Sequence, residues 1–177
     1  MHRRKLLQMG LGLAGAATFG THAAAASGAR SIAFSNLHTG ESLAATYWEA
    51  GAYIPDALEA LNHLLRDHRT GEVHAMAPGL FDLIATLRGK LETNAVVQVI
   101  SGYRSPVTNA SLHARSDGVA THSLHMAGEA TDLRIAGVDL ARLRDAAWSL
   151  QGGGVGFYPQ SQFVHVDVGR VRRWQGA

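Results

Sequence analysis

His125 and Asp132 stand seven positions apart in Ser123-Leu124-His125-Met126-Ala127-Gly128-Glu129-Ala130-Thr131-Asp132, with a glycine between them. The segment reads as a loop that turns at Gly128 and enters a short strand, bringing imidazole and carboxylate to one point. A third donor is offered by Phe163-Val164-His165-Val166-Asp167, where alternation of apolar and polar residues predicts a strand with His165 and Asp167 on the same side. Two His and one Asp suit a tetrahedral Zn²⁺ with one position open, the arrangement of catalytic rather than structural zinc sites. His165 alone, between valines, would read as a packed strand histidine. The pair at 125 and 132 is what favours a metal.

What must position these groups is a chain of 177 residues, enough for one domain with a real core. Residues 1–26 read as an export signal. Arg3-Arg4-Lys5 precedes a short apolar, glycine-rich run to Gly20, and Ala23-Ala24-Ala25-Ala26 supplies small residues for cleavage. The run is too short and too poorly flanked for a membrane span. The paired arginines and modest hydrophobicity resemble a twin-arginine signal, which implies export of an already folded protein to the periplasm. This leader holds three of the 16 Lys and Arg and none of the 14 Asp and Glu, leaving 13 against 14 in residues 27–177. The high pI is therefore no argument for nucleic acid, and no basic, aromatic-interleaved groove reader is present. With no cysteine, disulfides, thiolate ligands and a Cys nucleophile are excluded, so metal ligands must be His, Asp or Glu.

Along the domain, Arg30 to Leu37 and Ser42 to Trp48 predict a hairpin about His38-Thr39-Gly40-Glu41. Pro55-Asp56 opens a helix with a stripe of Leu58, Leu61, Leu64 and Leu65, closed by Arg66-Asp67-His68-Arg69 before Gly71. His63 and His68 on it share no face and read as surface or satisfied residues. A second helix follows Pro78, through Leu80, Leu83, Ile84 and Leu87. Ala95 to Ile100 predicts a buried strand that delivers Ser101-Gly102-Tyr103-Arg104-Ser105-Pro106 at its end, a common place for functional side chains. A short helix over Asn109 to Arg115 and a turn at Asp117-Gly118 lead to the donor segment. Ala130 to Ile135 predicts a strand, Val138 to Leu150 a helix, and Val155 to Tyr158 a strand paired with Gln162 to Val168. Helices that precede and interrupt short strands favour a single α+β domain, an antiparallel sheet with flanking helices.

Three motifs in order, Ser-Gly-Tyr-Arg-Ser at 101–105, Ser-x-His-x-x-Gly-x-Ala-x-Asp at 123–132 and Gly-Gly-Val-Gly-Phe-Tyr…Phe-Val-His-Val-Asp-Val-Gly at 153–169, resemble the bacterial DUF882 family. That family groups with the M15-type zinc D-alanyl-D-alanine peptidases and includes murein endopeptidases. Thr39-Gly40-Glu41, Tyr47-Trp48 and Arg66-Asp67-His68-Arg69-Thr70-Gly71 extend the likeness over almost the whole domain. The resemblance implies a D-Ala-D-Ala metallopeptidase-like fold over 27–177, with His125, Asp132 and His165 as zinc ligands. It implies that Arg104 binds or polarises substrate near the scissile bond, and that Ser123 and Gly128 shape the ligand loop. Tyr103 and Ser123 join Arg104 as expected substrate contacts. The family's general base is an acid three places before the last His, where this chain has Gln162, and an amide cannot take a proton from water. Asp167 is then the nearest substitute, either as base or as a carboxylate holding the His165 imidazole. His113 and His122 read as solvated.

The implied activity is zinc-dependent hydrolysis of peptide cross-links in peptidoglycan, on stem peptides whose carboxylates suit the fork of an arginine. A monomer is expected. Two alternatives stand: a zinc-containing wall-binding module that has lost catalysis with the acid at 162, and a D-alanine carboxypeptidase or dipeptidase. Arg170, Arg172 and Arg173 form either a solvated edge or a contact with anionic cell wall.

Overall fold

The computed structural model describes residues 28–115 and 118–176. The expected leader and Asp117 lie outside them. Eight strands form one sheet: β1 (Arg30–Asn36), β2 (Ser42–Glu49), β3 (Ala52–Tyr53), β4 (Val97–Ser101), β5 (Ala130–Ile135), β6 (Gly154–Tyr158), β7 (Phe163–Asp167) and β8 (Arg172–Gln175). Their order across the sheet is β3-β2-β1-β4-β5-β7-β6-β8. Most joins are antiparallel, as expected of this α+β domain, but β1–β4 and β6–β8 are parallel. A parallel neighbour needs a crossover, and the first is supplied by helices α1 (Pro55–Leu64) and α2 (Pro78–Lys90). The edge strand β8 was not foreseen from the arginine-rich end of the chain.

Helix α1 stops at Leu64 rather than running through Arg69, and the chain beyond it turns the Asp67 carboxylate inward. Helix α3 (Pro106–His113) begins three residues before the expected Asn109. Proline suits its first position, and the Ser105 Oγ caps it by accepting from the Thr108 amide at 3.2 Å. Helix α4 (Leu140–Leu150) starts after Asp139, whose carboxylate accepts from the Arg142 amide.

One core joins Leu61, Leu80, Phe81, Ile84 and Leu143 of the helices to Ile32, Phe34, Val97, Val99, Leu133, Val164 and Val166 of the strands. Each such side chain contributes roughly 1.5–3 kcal/mol by leaving water. Because strand side chains alternate, this core assigns a face to every other residue. Leu133 and Ile135, Val164 and Val166 face the helices, so Asp132, His165 and Asp167 face the other way. The sheet turns its chemistry away from its helices. No helix among the described residues is long and apolar enough to cross a membrane.

Candidate metal centre

Asp132 and His165 are directly paired across the β5–β7 ladder. A pair opposite each other on one face has its Cβ atoms about 5 Å apart, close enough for the side chains to meet. The Asp132 Oδ1 lies 2.9 Å from His165 Nδ1. His125 reaches the same point from a single 3-10 turn (Leu124–Ala127) that ends at Gly128. Gly128 has φ +70, and a Cβ there would strike the Ala75 carbonyl, so only glycine closes this turn. The His125 Nε2 lies 3.2 Å from His165 Nδ1 and 3.3 Å from Asp132 Oδ1. All three side chains are buried.

The outer nitrogens decide what the inner ones offer. His125 Nδ1 sits 2.7 Å from the Gly102 carbonyl, which only accepts, so that nitrogen carries the proton. His165 Nε2 sits 3.0 Å from the Asp167 carboxylate and carries its proton for the same reason. The facing nitrogens of two neutral imidazoles then present lone pairs to each other and to a carboxylate oxygen. Three acceptors within 4.8 Å, buried and with no donor between them, repel unless a cation lies among them. A proton answers in part. Burial opposes charge on His165, but the hydrogen bonds to Asp132 and Asp167 outweigh it and raise its pKa. Burial also pushes the Asp132 carboxyl up, yet the two imidazoles hold it well below the usual range. The donor set of nitrogen, nitrogen and carboxylate oxygen fits a divalent zinc ion.

Asp167 lies behind His165, not on the cleft. It is fully buried and accepts five hydrogen bonds: from His165, from the Gly154 and Gly169 amides at 2.9 Å, and two from Arg172 at 3.1 and 2.7 Å. Burial would raise its pKa, but these donors hold it low. A carboxylate so engaged has no lone pair aimed at a substrate, and it orients the imidazole instead. Gly154 permits it: a Cβ there would collide with the Asp167 carboxylate and the Arg172 guanidinium.

Arg104 leaves β4 beside the triad. Its backbone amide donates to the His125 carbonyl, and its Nη2 lies 3.7 Å from Asp132 Oδ2. Nη1 reaches Asn109 only at 3.4 Å, and the buried Nε has no partner among the described residues. Burial lowers its pKa and Asp132 partly offsets that, leaving a guanidinium with spare donors at the cleft. Its neighbour Tyr103 points elsewhere. The Tyr103 hydroxyl donates to Glu72 at 2.8 Å and the ring stacks on His74. Adjacent residues of an extended loop face opposite ways, so Arg104 and Tyr103 cannot both serve the cleft.

Asp67, passed over as a helix-end residue, anchors this loop. Its buried carboxylate accepts from the Ser105 amide at 2.9 Å and hydroxyl at 2.7 Å. It thereby fixes the start of α3, whose Asn109 holds the carbonyls of Ala120 and Thr121. The local partner of Asp67, the Arg69 amide, does not reveal this role, because Ser105 lies 38 residues on.

The cleft over the triad has a volume of about 950 Å³. Arg104, Ser123, Leu124, Tyr158, Phe163 and Trp174 are among its walls. His122 is exposed, as anticipated, but it too lines the cleft. His113 does not; its ring bonds the Val119 carbonyl. Gln162 sits in the β6–β7 turn at φ 57, with its amide donating to the Pro159 carbonyl and away from the triad. Trp174 was missed entirely. A Cβ on Gly156 would come within 2.6 Å of its ring, so the glycine lets the indole lie across β6 and against His165 at 5.1 Å.

A family model described as peptidoglycan L,D-endopeptidase MepK matches residues 24–174. Over 176 residues the chain is 47% identical to a protein of Escherichia coli (strain K12) named peptidoglycan L,D-endopeptidase MepK, covering 98% of this chain and 97% of that one. It is 46% identical over 148 residues to a probable peptidoglycan L,D-endopeptidase MepK of Haemophilus influenzae, covering 83% of this chain and 80% of the other. No solved structure matches it significantly.

Proposed function

The chain belongs to the M15-type peptidase family described as peptidoglycan L,D-endopeptidase MepK, and on that premise we propose that it is a zinc-dependent murein endopeptidase acting in the periplasm. The bond we assign to it is an L,D amide of a peptide cross-link; its relatives are named peptidoglycan L,D-endopeptidases. The observation that carries the zinc is the meeting of two imidazole lone pairs with the Asp132 oxygen in one buried spot.

His125, Asp132 and His165 would hold the ion, which when bound supplies Lewis acidity for a carbonyl and acidifies a water toward neutral pKa. The protein does the rest. The Gly102 carbonyl and Asp167 keep each imidazole in the tautomer that faces its lone pair inward. Arg104 offers its unspent donors to the oxygen that gains charge, or to a neighbouring substrate carboxylate. Trp174 and Leu124 cover the triad and lower the local dielectric, which strengthens both effects. Among the described residues the ionisable groups of the cleft wall outside the triad are Arg104, His122, Tyr158 and Arg172. A proton relayed through the protein therefore passes through the His122 imidazole or the Tyr158 phenol, not through Gln162 or Asp167.

Asp167→Asn tests the tautomer argument. The amide cannot accept from His165 and from Arg172 as the carboxylate does, so zinc affinity should fall about 10–100-fold in a chelator competition. Activity should return when zinc is raised to saturation. A variant inactive with zinc fully bound would restore Asp167 to a direct catalytic role.

The function itself is tested on purified sacculi, digested with and without a chelator and resolved by muropeptide chromatography. Loss of cross-linked dimers, blocked by chelation and restored by zinc, is the expected result. Released D-alanine would make the protein a carboxypeptidase. An unchanged profile with sacculus binding would make it a wall-binding module.

A further inference from the structure

A second groove lies around the free edge of the sheet from the metal centre. Val155 and Phe157 of β6, Arg144 and Trp148 of α4, and Arg173 and Gln175 of β8 line a space of about 380 Å³. Trp174 and Gln175 line both this groove and the cleft, so the two are continuous over β8. β8 is the last strand of the order, and among the described residues no further strand lies beyond it.

Guanidinium groups are laid on aromatic rings in the groove and, beside it, on the cleft side of β8. Arg144 stands 4.6 Å over Phe157, Arg173 5.1 Å over Trp148, and Arg172 5.0 Å over Trp174. Such pairs occur about once per 70–80 residues, so two in the groove between α4, β6 and β8, with a third on the cleft side of β8, are a constructed surface rather than scattered solvated arginines. Stacking occupies the flat face of a guanidinium and leaves its in-plane N–H donors pointing outward. Two of the three are already neutralised: Arg172 by Asp167, and Arg144 by Asp145 at 2.8 Å. Arg173 makes no ion pair among the described residues, and Trp148 holds it in place.

We propose that this groove is a second substrate subsite, in which Arg173, stacked on Trp148, binds a carboxylate of the stem peptide that leaves the cleft over Trp174 and Gln175. The inference rests on the endopeptidase reading, which requires a substrate with two peptide arms. One arm presents the scissile bond to the triad and the other must exit. Charge selects the occupant: stem peptides carry free carboxylates, and Arg173 is the groove's unneutralised cation. A space of this size, at the small end of ligand pockets, accommodates one or two peptide residues, not a folded partner.

The probe is a purified cross-linked muropeptide dimer, compared with the same dimer after amidation of its carboxylates. Arg173 is exposed, and Arg173→Gln should fold and melt as the wild type does. For the acidic dimer, R173Q should weaken equilibrium binding and raise KM about fivefold, the scale of an exposed but bidentate pair, with kcat unchanged. The difference should shrink as salt is added. The amidated dimer should not distinguish the two proteins. Arg173→Lys should recover only part of the loss, since an ammonium lacks the planar fork. Equal affinity of wild type and R173Q for the acidic dimer overturns the subsite, as does no binding by the wild type. A wild type that binds the dimer through Arg173 without cutting it sinks the endopeptidase reading and leaves the subsite standing.

Discussion

Asp132→Ala is expected to lose its metal and, with it, at least about a thousandfold in kcat/KM on cross-linked muropeptides, the upper scale for removing a charge-stabilising element of a hydrolase site. Asp132 Oδ1 is the common neighbour of both inner nitrogens, at 3.3 Å from His125 and 2.9 Å from His165. Without it two neutral nitrogens face each other over an uncompensated cavity, and the buried Arg104, 3.7 Å away, repels a cation that Asp132 no longer balances. Zinc analysis of the purified variant checks the first half. Thermal unfolding supplies a second reading that is independent of activity. Zinc at about 100 times its dissociation constant stabilises a folded protein by about 2.7 kcal/mol, so it should raise the melting temperature of the wild type and leave Asp132→Ala unmoved. Retention of stoichiometric zinc with activity within tenfold of wild type would remove the triad from the mechanism.

Arg104 should prove nearly as costly, by a different route. Both Arg104→Ala and Arg104→Lys should keep zinc, because no ligand is touched, yet lose about a hundredfold to a thousandfold in kcat. Lysine is not expected to rescue. The guanidinium reaches the cleft from a backbone fixed by the His125 carbonyl on one side and by Asp67, through Ser105, on the other. A single ammonium in that position cannot aim two donors at one oxygen pair. Steady-state kinetics decide the matter. A Lys variant with wild-type kcat would reduce Arg104 to a structural charge beside Asp132.

Much of the fold was legible because its signals are local. Alternation in residues 130–135 and 163–167 predicted both strands of the site and the face that His165 shares with Asp167. The leucine spacing located α1, α2 and α4, and Gly128 announced the turn that brings His125 in. The parallel joins were not legible, since strand order depends on which crossover packs best and no single segment records that. Nor was β8: its arginines look solvated until Asp167 and the rings of Trp148 and Trp174 are placed beneath them.

The site divides along the same line. The amino-acid sequence by itself determined which donors were available, their chemical type and the strand face each occupies, because those follow from residue identity and a two-residue period. Only the tertiary structure decided what stands behind each donor. It put Asp167 under His165 with every lone pair engaged, turned Tyr103 toward Glu72, and left Gln162 in a turn away from the cleft. The physical reason is distance along the chain: hydrogen bonds between residues 30 to 40 apart, such as those of Asp67 to Ser105 and Tyr103 to Glu72, exist only once the sheet has closed over its core.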